Sequence, residues 1–198
     1  FTNSPIHHLV NSMSQTLQTD ILGQYEEAIQ YEWLDANGIG GWASSTVLGA
    51  NTRRHHGLLV AASSDKGRTV LLSKLDETLV FDGQRFELGC NQFPGKVHPK
   101  GHLYLFSFSQ DLFPVFEYQI QNIRLRKTIS AVHGEDTTLV IYEILEAPMP
   151  FTLVWRPFVA ARDVHSLIQQ NDSLNPEAQW KNGILKIPTF VLESLVNQ

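Results

Sequence analysis

From Ile29 onward the apolar positions fall in short segments, many of them β-branched or aromatic, bounded by Gly, Pro, Asn or Asp. The clearest pattern has Ile123, Leu125, Lys127, Ile129 and Ala131 alternating with Arg124, Arg126, Thr128 and Ser130. Successive side chains of a strand point to opposite faces, so this pattern predicts a strand with one largely apolar face and one polar face. Phe116, Tyr118 and Ile120 alternate in the segment before it, and Gln121-Asn122 supplies a tight connection. Asp82-Gly83 marks a hairpin, since both residues tolerate the positive φ of a tight turn. Strands are expected over 28–34, 56–62, 69–75, 77–81, 84–88, 103–109, 115–121, 123–132, 138–146 and 152–160. Residues 15–22 are expected to form one or two helical turns, 171–177 a loop and 180–187 a hairpin, and 190–196 a strand or helix.

Strands recurring about every 10 to 14 residues leave little room for crossover helices. An all-β antiparallel sandwich over 23–198 is therefore expected, preceded by a short, weakly ordered, irregular or helical arm over 1–22.

The chain has 198 residues, 42% of them hydrophobic and 18% charged, which is globular composition with enough length for a core of its own. The net charge of −5 and the scattered lysines and arginines argue against a nucleic-acid partner, which needs clustered cations. Arg124-Leu125-Arg126-Lys127 is the densest basic run, and it reads as a solvated sheet face. No apolar run has transmembrane length, so no membrane partner is expected. A polar N-terminal stretch without a signal-peptide layout, and a single cysteine, Cys90, point to a reducing cytoplasm.

The unusual chemistry lies between Glu32 and Ala62. Gly38, Gly40 and Gly41 sit between Trp33 and Trp42, and Asn51-Thr52-Arg53-Arg54-His55-His56 leads into an apolar strand. The glycines lack the Gly-Lys-Ser/Thr ending and the following helix of a phosphate loop. Adjacent histidines in extended chain point apart, so His55 and His56 make a poor metal pair. Two readings remain open. In one, the segment is a polar surface for a sugar; in the other, the glycines simply make a turn and Trp33 and Trp42 pack in the core.

The residues Glu32-Trp33-Leu34, Asn37-Gly38-Ile39-Gly40-Gly41, Ser44, Thr46, Gly49-Ala50-Asn51-Thr52-Arg53-Arg54 and His56-Gly57-Leu58-Leu59 resemble the opening motif of the bacterial and archaeal glycogen debranching enzyme N-terminal domain. Arg68 to Thr78, Phe93-Pro94-Gly95 before a histidine, and Arg156-Pro157-Phe158 with Arg162-Asp163-Val164-His165 resemble its later segments in family order. The resemblance implies a galactose-mutarotase-like β-supersandwich that precedes an (α/α)6 barrel. In amylo-α-1,6-glucosidases that barrel carries the acid and base carboxylates. The implied partners are the barrel in cis and an α-glucan. This chain is expected to be inactive alone, with no cofactor and no metal. The implied substrate-binding or interface residues are Asn37, Gly38, Gly40, Gly41, Trp42, Ser44, Thr46, Asn51, Thr52, Arg53, His56, Arg156, Arg162, Asp163 and His165. An independent carbohydrate-binding module is the alternative.

The carboxylates agree with a domain lacking its own chemistry. Glycoside hydrolysis needs two carboxyl groups flanking the bond. Glu26-Glu27 borders the arm, Glu135-Asp136 is placed in a turn, and Asp76-Glu77 is expected at a corner between two strands. Asp163 beside Arg162 suits a hydrogen-bond acceptor better than a general acid. No Gly-x-Ser-x-Gly elbow frames a serine nucleophile.

Overall fold

A computed structural model of the chain describes residues 8–9, 15–64, 67–167 and 177–187. The expectation for 190–196 and nearly all of that for 171–177 lie outside these residues. Two antiparallel sheets face each other. The first is built from β1 (His8–Leu9), β3 (Tyr31–Ala36), β4 (Trp42–Thr46), β5 (Gly57–Ser63), β6 (Gly67–Phe81), β7 (Gln84–Glu87) and β14 (Thr152–Asp163). The second is built from β2 (Gln15–Gln18), β10 (Leu105–Gln110), β11 (Pro114–Ile120), β12 (Ile123–Ala131) and β13 (Thr138–Glu146). Among the described strands only the short β1–β3 pairing is parallel. Two hairpins stand apart, β8 (Cys90–Phe93) with β9 (Lys96–Lys100), and β15 (Gln179–Lys181) with β16 (Ile184–Lys186). The helices α1 (Thr19–Leu22) and α2 (Tyr25–Ala28) are one turn each, and no described helix is long and apolar enough to cross a membrane. The all-β sandwich is the fold that the alternation predicted.

Each sheet turns its apolar set inward. Trp33 from the first sheet meets Phe116 from the second edge-on, ring centroids 6.1 Å apart, and Phe116 meets Phe108 at 4.9 Å. Leu79, Ile120, Leu125 and Ile129 are buried around them. The strand β12 follows the predicted alternation along its whole length, with every odd position buried.

Lys127 is one of those odd positions and is only 8% exposed. Its Nζ donates to Glu77 Oε1 at 2.6 Å, and Glu77, from the opposite sheet, is 3% exposed. The Tyr142 hydroxyl donates to the same Glu77 oxygen. Cross-strand neighbours Phe116 and Tyr142 flank Lys127, and its ammonium stands 5.8 Å from the Phe116 ring centre. A charged group therefore bridges the two layers inside the core.

That bridge explains where the structure departs from the expected elements. Strands over 69–75 and 77–81 are in fact one strand, β6, and Asp76-Glu77 is no corner. Leu75, Glu77, Leu79 and Phe81 all face the second sheet, and Glu77 stays inside because Lys127 and Tyr142 meet it there. Asp76 points the other way, where Lys74 and Asn91 hold it. Of residues 15–22, expected as one or two helical turns, 19–22 form one turn, α1, while 15–18 are a strand. They cover the free edge of β10, in register from Ser107↔Gln18 to Gln110↔Gln15, and bury Leu17. The strands β4, β8 and β9 were not expected from the pattern.

The β8–β9 hairpin and the following 3-10 turn (Gly101–Tyr104) cover one end of the core. Cys90 and His102 are buried there, Sγ to Nδ1 3.7 Å, with the Tyr25 ring centre 5.7 Å from that of His102. Burial pushes the Cys90 thiol up to about 11, against a smaller opposing pull from the Lys74 charge. Burial, helped by the Lys100 charge, lowers the His102 pKa.

Replacing Lys127 with Met strands Glu77 inside the sandwich, and should cost about 3–5 kcal/mol of unfolding free energy in a urea titration. The double variant Lys127→Met/Glu77→Leu should recover most of that loss. A single variant as stable as the parent would show that the bridge contributes nothing. Since the folded His102 resists protonation, its contribution is complete above the ordinary imidazole value of 6.5 and is lost as pH falls through the lower folded pKa. The thermal midpoint should therefore drop from pH 7 to pH 5, and His102→Gln should flatten that slope.

Candidate functional site

The glycine-rich turn after β3 is organised by one side chain. Asn37 is 2% exposed, and its Oδ1 accepts the backbone N–H groups of Gly41 at 2.9 Å and Ile39 at 3.1 Å. Its Nδ2 donates to Glu135 O at 3.0 Å and Asp136 Oδ1 at 3.1 Å. Its own carbonyl accepts from Gly134 N at 2.7 Å. The turn after β3 is thus tied to the turn after β12, nearly a hundred residues away. Gly38 and Gly40 have φ of 79° and 98°, which L side chains rarely adopt. A Cβ on Gly38 would lie 2.3 Å from the His133 ring, and one on Gly41 would lie 2.5 Å from Val60 O. Gly38 makes room for the His133 ring and Gly41 for the Val60 backbone, and Asn37 spends its hydrogen-bonding capacity on protein groups.

The next stretch is equally engaged. Thr46 Oγ1 donates to Ala50 O at 2.8 Å and accepts from Ala50 N at 3.1 Å, closing the turn after β4. Ser44 Oγ lies 3.4 Å from His55 O. His56 Nδ1 accepts from Thr52 N at 3.2 Å and Arg53 N at 3.4 Å, which leaves Nε2 to carry the ring proton. That nitrogen faces Glu32 Oε1 at 3.5 Å, and Arg53 Nε donates to the same oxygen at 2.6 Å. Glu32, Arg53 and His56 form one cluster that pins the 51–56 loop to β3.

The two ends of the singled-out sequence meet. Arg54 Nη1 donates to His165 O at 3.2 Å, and Arg162 donates back to Arg54 O and to Ser166 O, the latter at 2.9 Å. Asp163 Oδ1 accepts from His165 N at 2.8 Å, folding the chain after β14. Trp42 packs on the small cluster of Val60, Val70, Ala160 and Val164, its Nε1 donating to His55 O at 3.1 Å. The Arg68 guanidinium covers its ring at 5.5 Å and donates to Gly40 O at 2.9 Å.

Asn51 and Arg156 belong elsewhere. They line a cleft of about 510 Å³ together with Lys74, Asp76, Asn91, Phe93, His98 and Phe158. It opens on the face of the first sheet that turns away from the core. There Arg156 is directly opposite Asp76 and Phe158 is opposite Lys74 in the β14–β6 register. Lys74 Nζ reaches Asn91 Oδ1 at 2.7 Å, Asp76 Oδ1 at 2.8 Å and Cys90 O at 2.9 Å. Asp76 Oδ2 accepts from Asn91 Nδ2 at 3.0 Å, and Gly89 leaves room for the carboxylate, since a Cβ there would sit 2.6 Å from its carbon. Asn51 Nδ2 donates to Ser73 O at 2.8 Å, and its Oδ1 accepts from Ser45 Oγ at 2.7 Å. Sequence reasoning did not single out Lys74, Asn91, His98 or Phe158 as site residues, and it weighed Asp76 as a carboxylate but favoured a corner between strands. All but Asn91 fall in or beside the segments that carry the family resemblance. Among the described residues no group of three or more His, Cys, Asp or Glu could hold a metal ion.

The profile of the family described as "Glycogen debranching enzyme N terminal" matches residues 31–191, which is most of the chain. No curated protein and no solved structure matches it.

Asn37→Ala removes the acceptor of two backbone donors at once, and should lower stability by about 2–4 kcal/mol. Chemical unfolding measures it, and a loss under about 0.5 kcal/mol, the range of an ordinary surface change, would show that the turn holds without that side chain.

Proposed function

The chain belongs to the glycogen debranching enzyme N-terminal family, and from that premise we propose that it is the non-catalytic N-terminal domain of a glycoside hydrolase acting on the α-1,6 branches of glycogen-like α-glucans. It packs on the catalytic (α/α)6 barrel in cis and shapes the substrate site with the 35–54 and 156–165 segments. The observation that carries this reading is the state of the buried carboxylates. Glu32 is engaged by Arg53, Asp76 by Lys74 and Glu77 by Lys127. Asp136 accepts from Asn37, and Glu26 and Glu27 are not buried on α2. None of the engaged carboxyl groups is free to flank a glycosidic bond.

The mutual anchoring of Arg54, Arg162 and His165 supports an interface role, because it makes a firm surface from two distant segments. Exposed apolar side chains on the last two strands of the sandwich, Leu139 and Ile141 on β13 and Trp155 on β14, fit burial against a further domain. The single cysteine fits a cytoplasmic enzyme.

Incubated with a phosphorylase limit dextrin, the isolated chain should release no glucose, whereas an enzyme that carries this domain together with the barrel should release it. Efficient glucose release by the isolated chain would overturn the reading.

A further inference from the structure

We propose that the cleft beneath the β8–β9 hairpin is itself a binding site for a short, uncharged α-glucan segment, so that the domain holds sugar directly as well as meeting the barrel. The proposal adds to the interface reading, takes the α-linkage from the family's name, and otherwise stands on the cleft.

Three observations lead to it. The first is convergence. The cleft collects Asn51 from the opening segment, Lys74 and Asp76 from β6, Phe93 and His98 from the hairpin, and Arg156 from β14. These are four stretches of chain spread over more than a hundred residues, and each is a stretch by which the sequence resembles the family. The Asn37, Arg53 and His56 groups of the same opening segment meet protein partners, and Asn51 is the residue of that segment that lines the cleft.

The second is charge. An anion needs free cations, and the Lys74 ammonium is already engaged, donating to Cys90 O and Asn91 Oδ1 and ion-paired with Asp76 at 2.8 Å. Arg156 is exposed and forms no ion pair or hydrogen bond with a described residue, but it stands directly opposite Asp76 with Glu87 on the same wall. Fixed positive and negative groups therefore alternate along the cleft, which suits a neutral ligand rich in dipoles.

The third is the mixture of surfaces. Phe93 is 47% exposed and Phe158 is 38% exposed, giving two ring surfaces beside the polar floor. A pyranose has the matching character, with apolar C–H faces and a rim of hydroxyls that both donate and accept. Asn91 and Glu87 offer oxygens to hydroxyl donors, and the Arg156 fork donates to hydroxyl or ring oxygens. The volume, about 510 Å³, lies within the range of small-ligand pockets.

The experiment is calorimetric titration of the 198-residue chain with maltopentaose, cellopentaose and inorganic phosphate in separate arms. Maltopentaose should bind saturably, with Kd on the order of 1 mM or tighter, and more tightly than the other two. Arg156→Ala and Phe158→Ala should each weaken it by about tenfold or more, while Leu112→Ser, on the exposed turn between β10 and β11, should leave it unchanged. On the unmodified chain, maltopentaose should move the amide resonances of Asn91, Gln92 and Phe93, a readout that needs no variant. Absence of saturable maltopentaose binding, tighter binding of phosphate, or affinity untouched by both cleft variants would overturn the proposal. Each of those results leaves the limit-dextrin experiment, and with it the interface reading, standing separately.

Discussion

The contact between Lys127 and Glu77 sets the register of everything around it. A β-strand has only two faces, so the residue that must point inward decides the direction of every other residue on it. Glu77 is drawn into the sandwich by a cation and a phenol from the facing sheet. Lys74, Asp76 and Thr78 are thereby turned outward. The same strand pairs with β5, β7 and β14, so one buried pair also positions the walls of the cleft. A slip of one residue in β6 would bury Asp76 opposite Lys127 and turn Glu77, Leu75 and Leu79 to solvent. The ion pair is a weak source of net stability, because desolvating both charges offsets much of their attraction. Its effect is to make every alternative register expensive.

The fold was legible in the chain wherever the period of two was unbroken. β12 could be read residue by residue, and the one oddity in its apolar set, Lys127, was the visible half of the inter-sheet bridge. The other half was hidden, since Asp76-Glu77 in sequence looks like a polar corner and only a partner fifty residues away makes it the middle of a strand. β4 escaped notice because its Trp-Ala-Ser-Ser-Thr carries no alternation of polarity, being buried through most of its length. β2 escaped because four polar-flanked residues form a strand only when an edge such as that of β10 is there to receive them.

The candidate site was legible as a set of segments and not as a surface. The motif between Glu32 and Ala62 marked where the unusual backbone lies, yet the structure assigns its residues contrasting work. Gly38, Gly41 and Asn37 close a turn, Thr46 closes another, and Arg53 and His56 share Glu32. Asn51, from the same run, looks out into the cleft, and Arg156 parts in the same way from Arg162, Asp163 and His165. Sequence proximity could not separate these groups, because what divides them is the partner each side chain meets in the fold.

The strand β6 obtains its last neighbour from β14, some eighty residues later, and the turn held by Asn37 closes only on residues 134–136. On a ribosome adding about 5–20 residues per second, these contacts come into being several seconds after the first half of the chain has emerged. Until then the outer face of β6 has neither Arg156 nor Phe158 beside it, and its free edge is open to any other extended chain. The domain is assembled from the outside in time as well as in space, and its period of greatest exposure to aggregation is written into the distance between Asp76 and Arg156 along the chain.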